Sequence, residues 1–193
     1  MSIISHALFA KLRNNMERYD QLRENVITLA RNARIASKKA IYALHKNENA
    51  RSAALLKEAK DSIAKIHALI KKEPHLASVG AYTEALEEYV EAACYDAVLK
   101  NKDIPTPEQL GVDADTYLPG LCDLVGELVR RAVNSAARNE AKHALWLKDI
   151  VVELYEELSL FEPRNIPLRR KLDSIKYSVE RLENLALELK RRA

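Results

Sequence analysis

The sequence predicts an all-α fold, a single-domain bundle of about six to seven helices, on three observations. Only four glycines and six prolines punctuate 193 residues, and the strong helix formers Ala, Leu, Glu, Lys and Arg dominate. Apolar residues recur at three- and four-residue spacing along most of the chain. The interruptions are few and abrupt: Asn47-Glu48-Asn49, Glu73-Pro74, Pro105 to Gly111, and Glu162 to Pro167. At 48% hydrophobic and 31% charged, residues 1–193 can bury one substantial core as one domain.

No apolar run approaches the roughly 20 residues that span a membrane. The opening Met1-Ser2-Ile3-Ile4-Ser5-His6 lacks the basic and then apolar build of a signal peptide. Cys94 and Cys122 sit inside apolar helical patterns and read as reduced core residues. These features predict a cytoplasmic protein without a membrane partner.

The first helix spans about 3–46. Val26, Leu29, Ala30, Ala33, Ala36, Ala40, Ile41 and Leu44 form its apolar stripe. Arg31, Arg34, Lys38, Tyr42 and His45 lie opposite, where cations, an aromatic ring and an imidazole can grip phosphates and stack on a base. An ordinary solvated basic face has the same pattern. Asn49 or Ser52 is expected to cap a second helix running to about Lys72, with Leu55, Leu56, Ala59, Ile63, Ile66, Leu69 and Ile70 inward, until Glu73-Pro74 stops it. His67 and His75 have no partners at metal-ligand spacing and read as structural or surface residues.

Ser78-Val79-Gly80 leads into an acidic helix ending near Lys100. Glu84, Glu87, Glu88 and Glu91 share a roughly 100° arc of it. Residues 101–116 read as a loop with at most one short helical turn. A helix from Tyr117 to about Asn139 carries Asp123 and Glu127 on one face, with Pro119 expected in its first turn and Gly126 admitting a close neighbour. Residues 139–160 form a further helix whose Trp146 is core or interface. The last helix places Leu168, Leu172, Ile175, Val179, Leu182, Ala186 and Leu189 in a heptad seam facing either its own subunit or a partner.

Charge is segregated. Residues 11–72 carry fifteen Lys/Arg against six Asp/Glu, whereas residues 73–127 carry two against twelve. This suits a polyanion ligand beside a metal site, or contacts between subunits. Like charges a helical turn apart repel, and a divalent cation with oxygen ligands compensates them directly. Glu88 and Glu91, facing Asp123 and Glu127, supply oxygens for one or two Mg²⁺ ions that keep several waters. Glu127 and Glu91 are the candidate general bases. Glu84 and Glu87 are weaker candidates for supporting positions and read equally as solvated. No Ser/His/Asp or Cys/His arrangement, no Gly-rich phosphate loop and no Glu-x-x-His motif occurs, which disfavours covalent catalysis, nucleotide hydrolysis and a di-iron bundle.

Several segments together resemble the translin family over nearly the whole length, and within it the translin-associated factor X branch more than translin. They are Ser37-Lys38-Lys39-Ala40-Ile41-Tyr42-Ala43-Leu44-His45, Glu88-Tyr89-Val90-Glu91-Ala92, and Tyr117-Leu118-Pro119-Gly120 followed by Asp123, Gly126-Glu127-Leu128 and Arg130. Val133-Asn134-Ser135 and Arg170-Lys171-Leu172-Asp173-Ser174-Ile175-Lys176 to Glu183-Asn184 complete them. The resemblance implies an all-helical subunit that assembles into a hollow octamer enclosing RNA. It implies further that carboxylates at Glu88, Glu91, Asp123 and Glu127 bind metal and cut RNA, whereas translin proper lacks most of them. Lys39 and Arg130, within these motifs, join Arg31, Arg34, Lys38, Tyr42 and His45 as nucleic-acid-binding candidates. The chain lacks the branch's long insertion before Tyr117 and an evident nuclear signal, and so looks like a compact prokaryotic or archaeal relative built from one kind of subunit.

The expectation is therefore a homo-oligomeric, Mg- or Mn-dependent endoribonuclease acting on single-stranded RNA or short duplex, with single-stranded DNA a further ligand. A non-catalytic single-stranded nucleic-acid-binding oligomer and a purely structural helical protein are the alternatives.

Overall fold

The computed structural model describes residues 5–192, so the expected start of the first helix at Ile3 and Ile4 falls outside them. Seven helices and no strand occur among the described residues: α1 (His6–His45), α2 (Asn49–Ile70), α3 (Gly80–Leu99), α4 (Pro107–Leu110), α5 (Ala114–Ala137), α6 (Ala141–Ser159) and α7 (Ile166–Arg192), with a 3-10 turn at Pro74–Ser78. No described helix is long and apolar enough to cross a membrane. Asn47, Asn101 and Asn139 take φ values of 60°, 52° and 62° just past α1, α3 and α5. That left-handed conformation ends a helix, and asparagine tolerates it better than most residues.

α3 is the shared wall of two apolar clusters. On one side Val26, Ala30 and Ala33 of α1 meet Ile63 and Ile66 of α2 and Tyr82, Leu86 and Tyr89 of α3. On the other, Val90, Tyr95 and Val98 of α3 meet Leu124 and Leu128 of α5, Leu147 and Val151 of α6, and Leu172 and Ile175 of α7. A helix with buried residues on more than one face has to lie between others.

α3 and α5 come closest at Gly120. A Cβ built there would lie 2.7 Å from Val90 Cβ and 2.9 Å from the Glu87 carbonyl oxygen. The close approach expected at Gly126 is absent, because a Cβ there meets nothing within 4 Å.

Other expectations need correction. α5 begins at Ala114, capped by Asp113, whose carboxylate accepts the Thr116 N–H at 2.9 Å. Pro119 therefore lies inside α5 rather than in its first turn, and leaves the Asp115 carbonyl without its usual partner. Neither Asn49 nor Ser52 caps α2: Glu48 holds that position without a side-chain bond, while Ser52 is buried with no partner for its hydroxyl. The short turn expected in the 101–116 loop is α4, closed by a capping box between Thr106 and Gln109 and by Gly111 at φ 71°. The α7 seam faces its own subunit through Leu168, Leu172, Ile175, Val179 and Leu182, which are buried, while Ala186 and Leu189 at its end are half-buried. Cys94 and Cys122 are free and buried. His67 packs edge-on against Tyr82, and His75 is exposed.

Candidate functional site

α1 and α3 run parallel, because Arg34 pairs with Glu84 at 2.9 Å, Lys38 with Glu88 at 2.7 Å, and His45 with Tyr95 at 3.2 Å, each fifty residues apart. The basic face of α1 thus lies along the acidic face of α3 within one subunit, and part of the segregated charge is neutralised there. The close contact at Gly120 brings Asp123 and Glu127 of α5 against the same stretch of α3. Together these elements enclose a cavity of about 560 Å³ lined by Glu88, Glu91, Asp123 and Glu127, with Lys38, Tyr42 and Arg130 beside them and Ser174 and Ser178 of α7.

The four carboxylates differ in surroundings. Glu91 is 9% exposed and, among the described residues, is the one of the four with no ion pair. Its pKa is pushed up to about 8, first by burial and then by the charges of Glu88, Asp123 and Glu127, with Lys38 opposing. Glu127 goes the other way. Burial favours its neutral form, but the His45 hydrogen bond and charge and the Arg130 guanidinium, 3.5 Å away, outweigh burial and hold its pKa below the ordinary value. Lys171 of α7 donates to Asp123 at 2.7 Å and to Glu87 at 3.1 Å. Burial disfavours its charge, yet these two carboxylates raise its pKa.

The end of α1 is fixed by hydrogen bonds. Arg131 donates to the carbonyls of Leu44 and His45 at 3.1 and 3.2 Å and to Asn47 Oδ1 at 2.6 Å, satisfying acceptors that a helix C-terminus leaves open. His45 is thereby held between Glu127 and Tyr95. Nε2 faces the Glu127 carboxylate and Nδ1 faces the Tyr95 hydroxyl, and these two partners fix the orientation of the ring.

The structure thus gathers Glu88, Glu91, Asp123 and Glu127 around one cavity and separates the two weaker candidates. Glu87 shares Lys171 with Asp123, whereas exposed Glu84 pairs with Arg34 away from the cavity. His45 does not join the exposed basic face: its side chain is 8% exposed, so it supports Glu127 and is closed to a base. Arg31 and Lys39 are exposed and, among the described residues, form no ion pair. Tyr42 is 50% exposed with Lys46 Nζ 4.6 Å from its ring centroid. Sequence reasoning missed Lys171, Arg131 and Tyr95 as parts of the site. For Lys171 the signal was its place beside Leu172 on the flank of the α7 seam, which aims it back at the bundle.

As the side chains stand, no three His, Cys, Asp or Glu groups among the described residues converge on one metal position. Lys38, Lys171 and the His45–Arg130 pair occupy three of the four carboxylates. The chemistry of the set still suits a hard divalent cation: four carboxylates, no thiolate facing the cavity as an ionised ligand, and one acid forced towards its neutral form by burial and by the charges of its three neighbours. Burial pushes the neighbouring Cys122 thiol up to about 12.

Comparison with known proteins follows the same lines. A translin-associated protein X homolog of Schizosaccharomyces pombe is 25% identical over 195 residues, covering 92% of this chain and 84% of that protein. An uncharacterised protein of Methanocaldococcus jannaschii is 30% identical over 169 residues, 83% of this chain and 72% of its own length. Translin of Gallus gallus matches over 78 residues at 32% identity, so the chain spans about a third of the length of the translins it matches: 34%, against 40% of its own. Among solved structures, apo-NeC3PO superposes with a TM-score of 0.87 at 25% identity, covering 98% of this chain and all of that one. The AfC3PO–duplex RNA complex superposes at 0.83 and 24% identity, covering 95% of this chain and 97% of that one, and so shares the fold. The Translin family sequence model matches residues 21–193, and the chain belongs to the translin family.

Proposed function

We propose that this protein is a metal-dependent endoribonuclease of the cytoplasm that works as a homo-oligomeric shell, most simply an octamer, around RNA. The observation that carries the proposal is Glu91, a buried carboxylate without a counter-ion that faces three other carboxylates across one cavity. Glu88, Glu91, Asp123 and Glu127 would hold Mg²⁺ or Mn²⁺. Such an ion offsets phosphate charge and makes a bound water acidic enough to attack phosphorus near neutral pH.

The chain's own groups do the rest. Lys38 and Arg130 at the cavity rim bind the phosphodiester, and α1 extends this basic surface through Arg31 and Lys39, with Tyr42 available for stacking. Glu127, kept ionised by His45 and Arg130, accepts a proton within the cavity where it is the carboxylate left off the metal, and the Tyr95–His45 pair fixes its orientation. Glu91 holds a proton near neutral pH, because burial and the charges of Glu88, Asp123 and Glu127 disfavour its ionised form.

A second reading has its own observation. Three of the four carboxylates already hold protein cations, and no three His, Cys, Asp or Glu groups converge on one position among the described residues. That arrangement suits a non-catalytic RNA- or single-stranded DNA-binding oligomer. The two readings separate when labelled single-stranded and duplex RNA are incubated with Mg²⁺, Mn²⁺ or EDTA, using wild type and Glu91→Gln. The nuclease reading expects cleavage that needs metal and Glu91 and leaves 5′-phosphate and 3′-hydroxyl ends. Binding without cleavage under either metal establishes the passive binder.

A further inference from the structure

α1 is 40 residues long and α2 only 22. Arg18 marks the level at which α2 ends, pairing with Glu73 at 3.3 Å. Among the described residues the stretch before it is an arm without a neighbour, and Leu8, Phe9, Leu12 and Met16 on it are 53%, 49%, 47% and 66% exposed. At 100° per residue these four continue the side of α1 that carries Tyr19, Leu22 and Val26, which pack on the core. The arm is therefore an apolar helix face made for a partner and left bare in the isolated subunit.

The matching surface lies on the same chain. A groove of about 580 Å³ opens between α5, α6 and the segment after α3. Its floor includes Leu118, Trp146, Ile150, Leu154 and Phe161, and its rim carries Asp103, Glu153 and Glu157 against the single cation Lys102. The arm carries Lys11 and Arg13 against one carboxylate, Glu17 at its inner end. Polarity and charge are complementary: an apolar helix with a net positive charge and an apolar channel with carboxylates at its rim.

A subunit cannot fill its own groove. The parallel offset of α1 and α3 puts Val98, at the groove, level with the end of α1, roughly 50 Å along the helix from Leu12 at 1.5 Å per residue. α1 has no proline or glycine at which to fold back. The α7 seam, the joining device the sequence suggested, is buried within the subunit from Leu168 to Leu182. We infer that the Ser5–Glu17 arm of one copy seats in the α5–α6 groove of another, so that each copy gives an arm and receives one. This contact runs head to tail and closes into a ring, or is exchanged reciprocally across a two-fold axis.

The inference rests on the homo-oligomeric reading above, and the molecule carries its own reporter. Trp146, the single tryptophan, lines the groove. Leu8→Asp/Leu12→Asp changes two exposed positions of the arm, so far-UV circular dichroism should be unaltered. The mass by light scattering should fall, Trp146 emission should shift to the red, and association should weaken at least tenfold. In a second experiment, Leu12→Cys copies are mixed with Ile150→Cys copies under mild oxidation, the native cysteines being buried. Disulfide-linked pairs should form in the mixture and not in either variant alone. Wild-type protein that is monomeric at micromolar concentration defeats the homo-oligomeric reading and this contact with it. An oligomer whose mass and Trp146 emission ignore the two aspartates, or one that links arm to arm, defeats this contact alone.

Discussion

The subunit has two cavities of nearly equal volume, about 560 and 580 Å³, that α3 and α5 both help to line, and their chemistry is opposite. One gathers four carboxylates with Lys38 and Arg130; the other is floored by leucines, Ile150, Trp146 and Phe161. Size therefore says little about use. Burial of like charges creates an unfavourable site that a cation relieves, so the first cavity is poised for an ion and a phosphate. Burial of apolar surface is favourable, so the second is poised for an apolar segment. α3 separates the two along its length, with Glu88 and Glu91 at one cavity and Val98 a little further on at the other.

The strongest test of this contrast is chemical. Glu91→Gln should lower RNA cleavage at least about a hundredfold and weaken divalent-ion binding measured by calorimetry, while RNA binding without metal holds or tightens because one potential negative charge is gone. Equal cleavage by the variant would detach the carboxylate cavity from catalysis.

Next comes the contact that holds that cavity closed. Gly120→Ala pushes a methyl group onto Val90 Cβ and the Glu87 carbonyl, neither of which is a mobile side-chain end, and should cost about 1–3 kcal/mol in urea unfolding. Gly126→Ala meets nothing and should instead gain up to about 1 kcal/mol from helix propensity. If both substitutions behave alike, the close approach of α3 and α5 is not what builds the site.

A pH series sharpens the electrostatic half. In the folded, ion-free protein Glu91 keeps its proton to about pH 8, against an ordinary value of 4.5. Between these limits the folded state binds more protons than the unfolded, so Glu91 lowers stability progressively as pH rises through the window. Glu91→Gln should therefore melt higher than wild type at pH 8 in EDTA, and the advantage should vanish below about pH 4.5. A wild-type advantage at pH 8 would place a cation against Glu91.

The smallest expected effect concerns the basic face. Arg31 and Lys39 form no ion pair among the described residues, so replacing each with Ala should reduce the slope of log affinity for RNA against log salt by about 0.7–0.9. Lys38 already neutralises Glu88 at 2.7 Å and should contribute less. Filter binding between low and moderate salt separates the two cases.

Much of the fold was legible because helix propensity and three- to four-residue periodicity are local. The breaks at Asn47 and Pro74 and the α4 turn sit where the pattern puts them, whereas the break expected over 162–167 lies at 160–165, with Ile166 and Pro167 already in α7. The start of α5 was missed because the Tyr117 motif drew the boundary past Asp113, which was in plain view as an N-cap. The wrong glycine was chosen for the close contact because spacing along one helix says nothing about which residue faces the neighbour.

The site divides in the same way. Shared faces follow from 100° per residue, so the sequence alone put Glu88 with Glu91 and Asp123 with Glu127 on their helices. Only the tertiary structure could show that Glu84 turns to Arg34 and Glu87 to Lys171, that His45 leaves the basic face to hold Glu127, and that Glu91 is the one of the four carboxylates without an ion pair among the described residues. Charge environment depends on distances between helices that are remote in sequence, and those distances are set by packing, above all where Gly120 lets α5 meet α3. The sequence by itself determined which helices form and which residues share a face; burial and partner, and with them each carboxylate's proton affinity, were decided by how the helices pack.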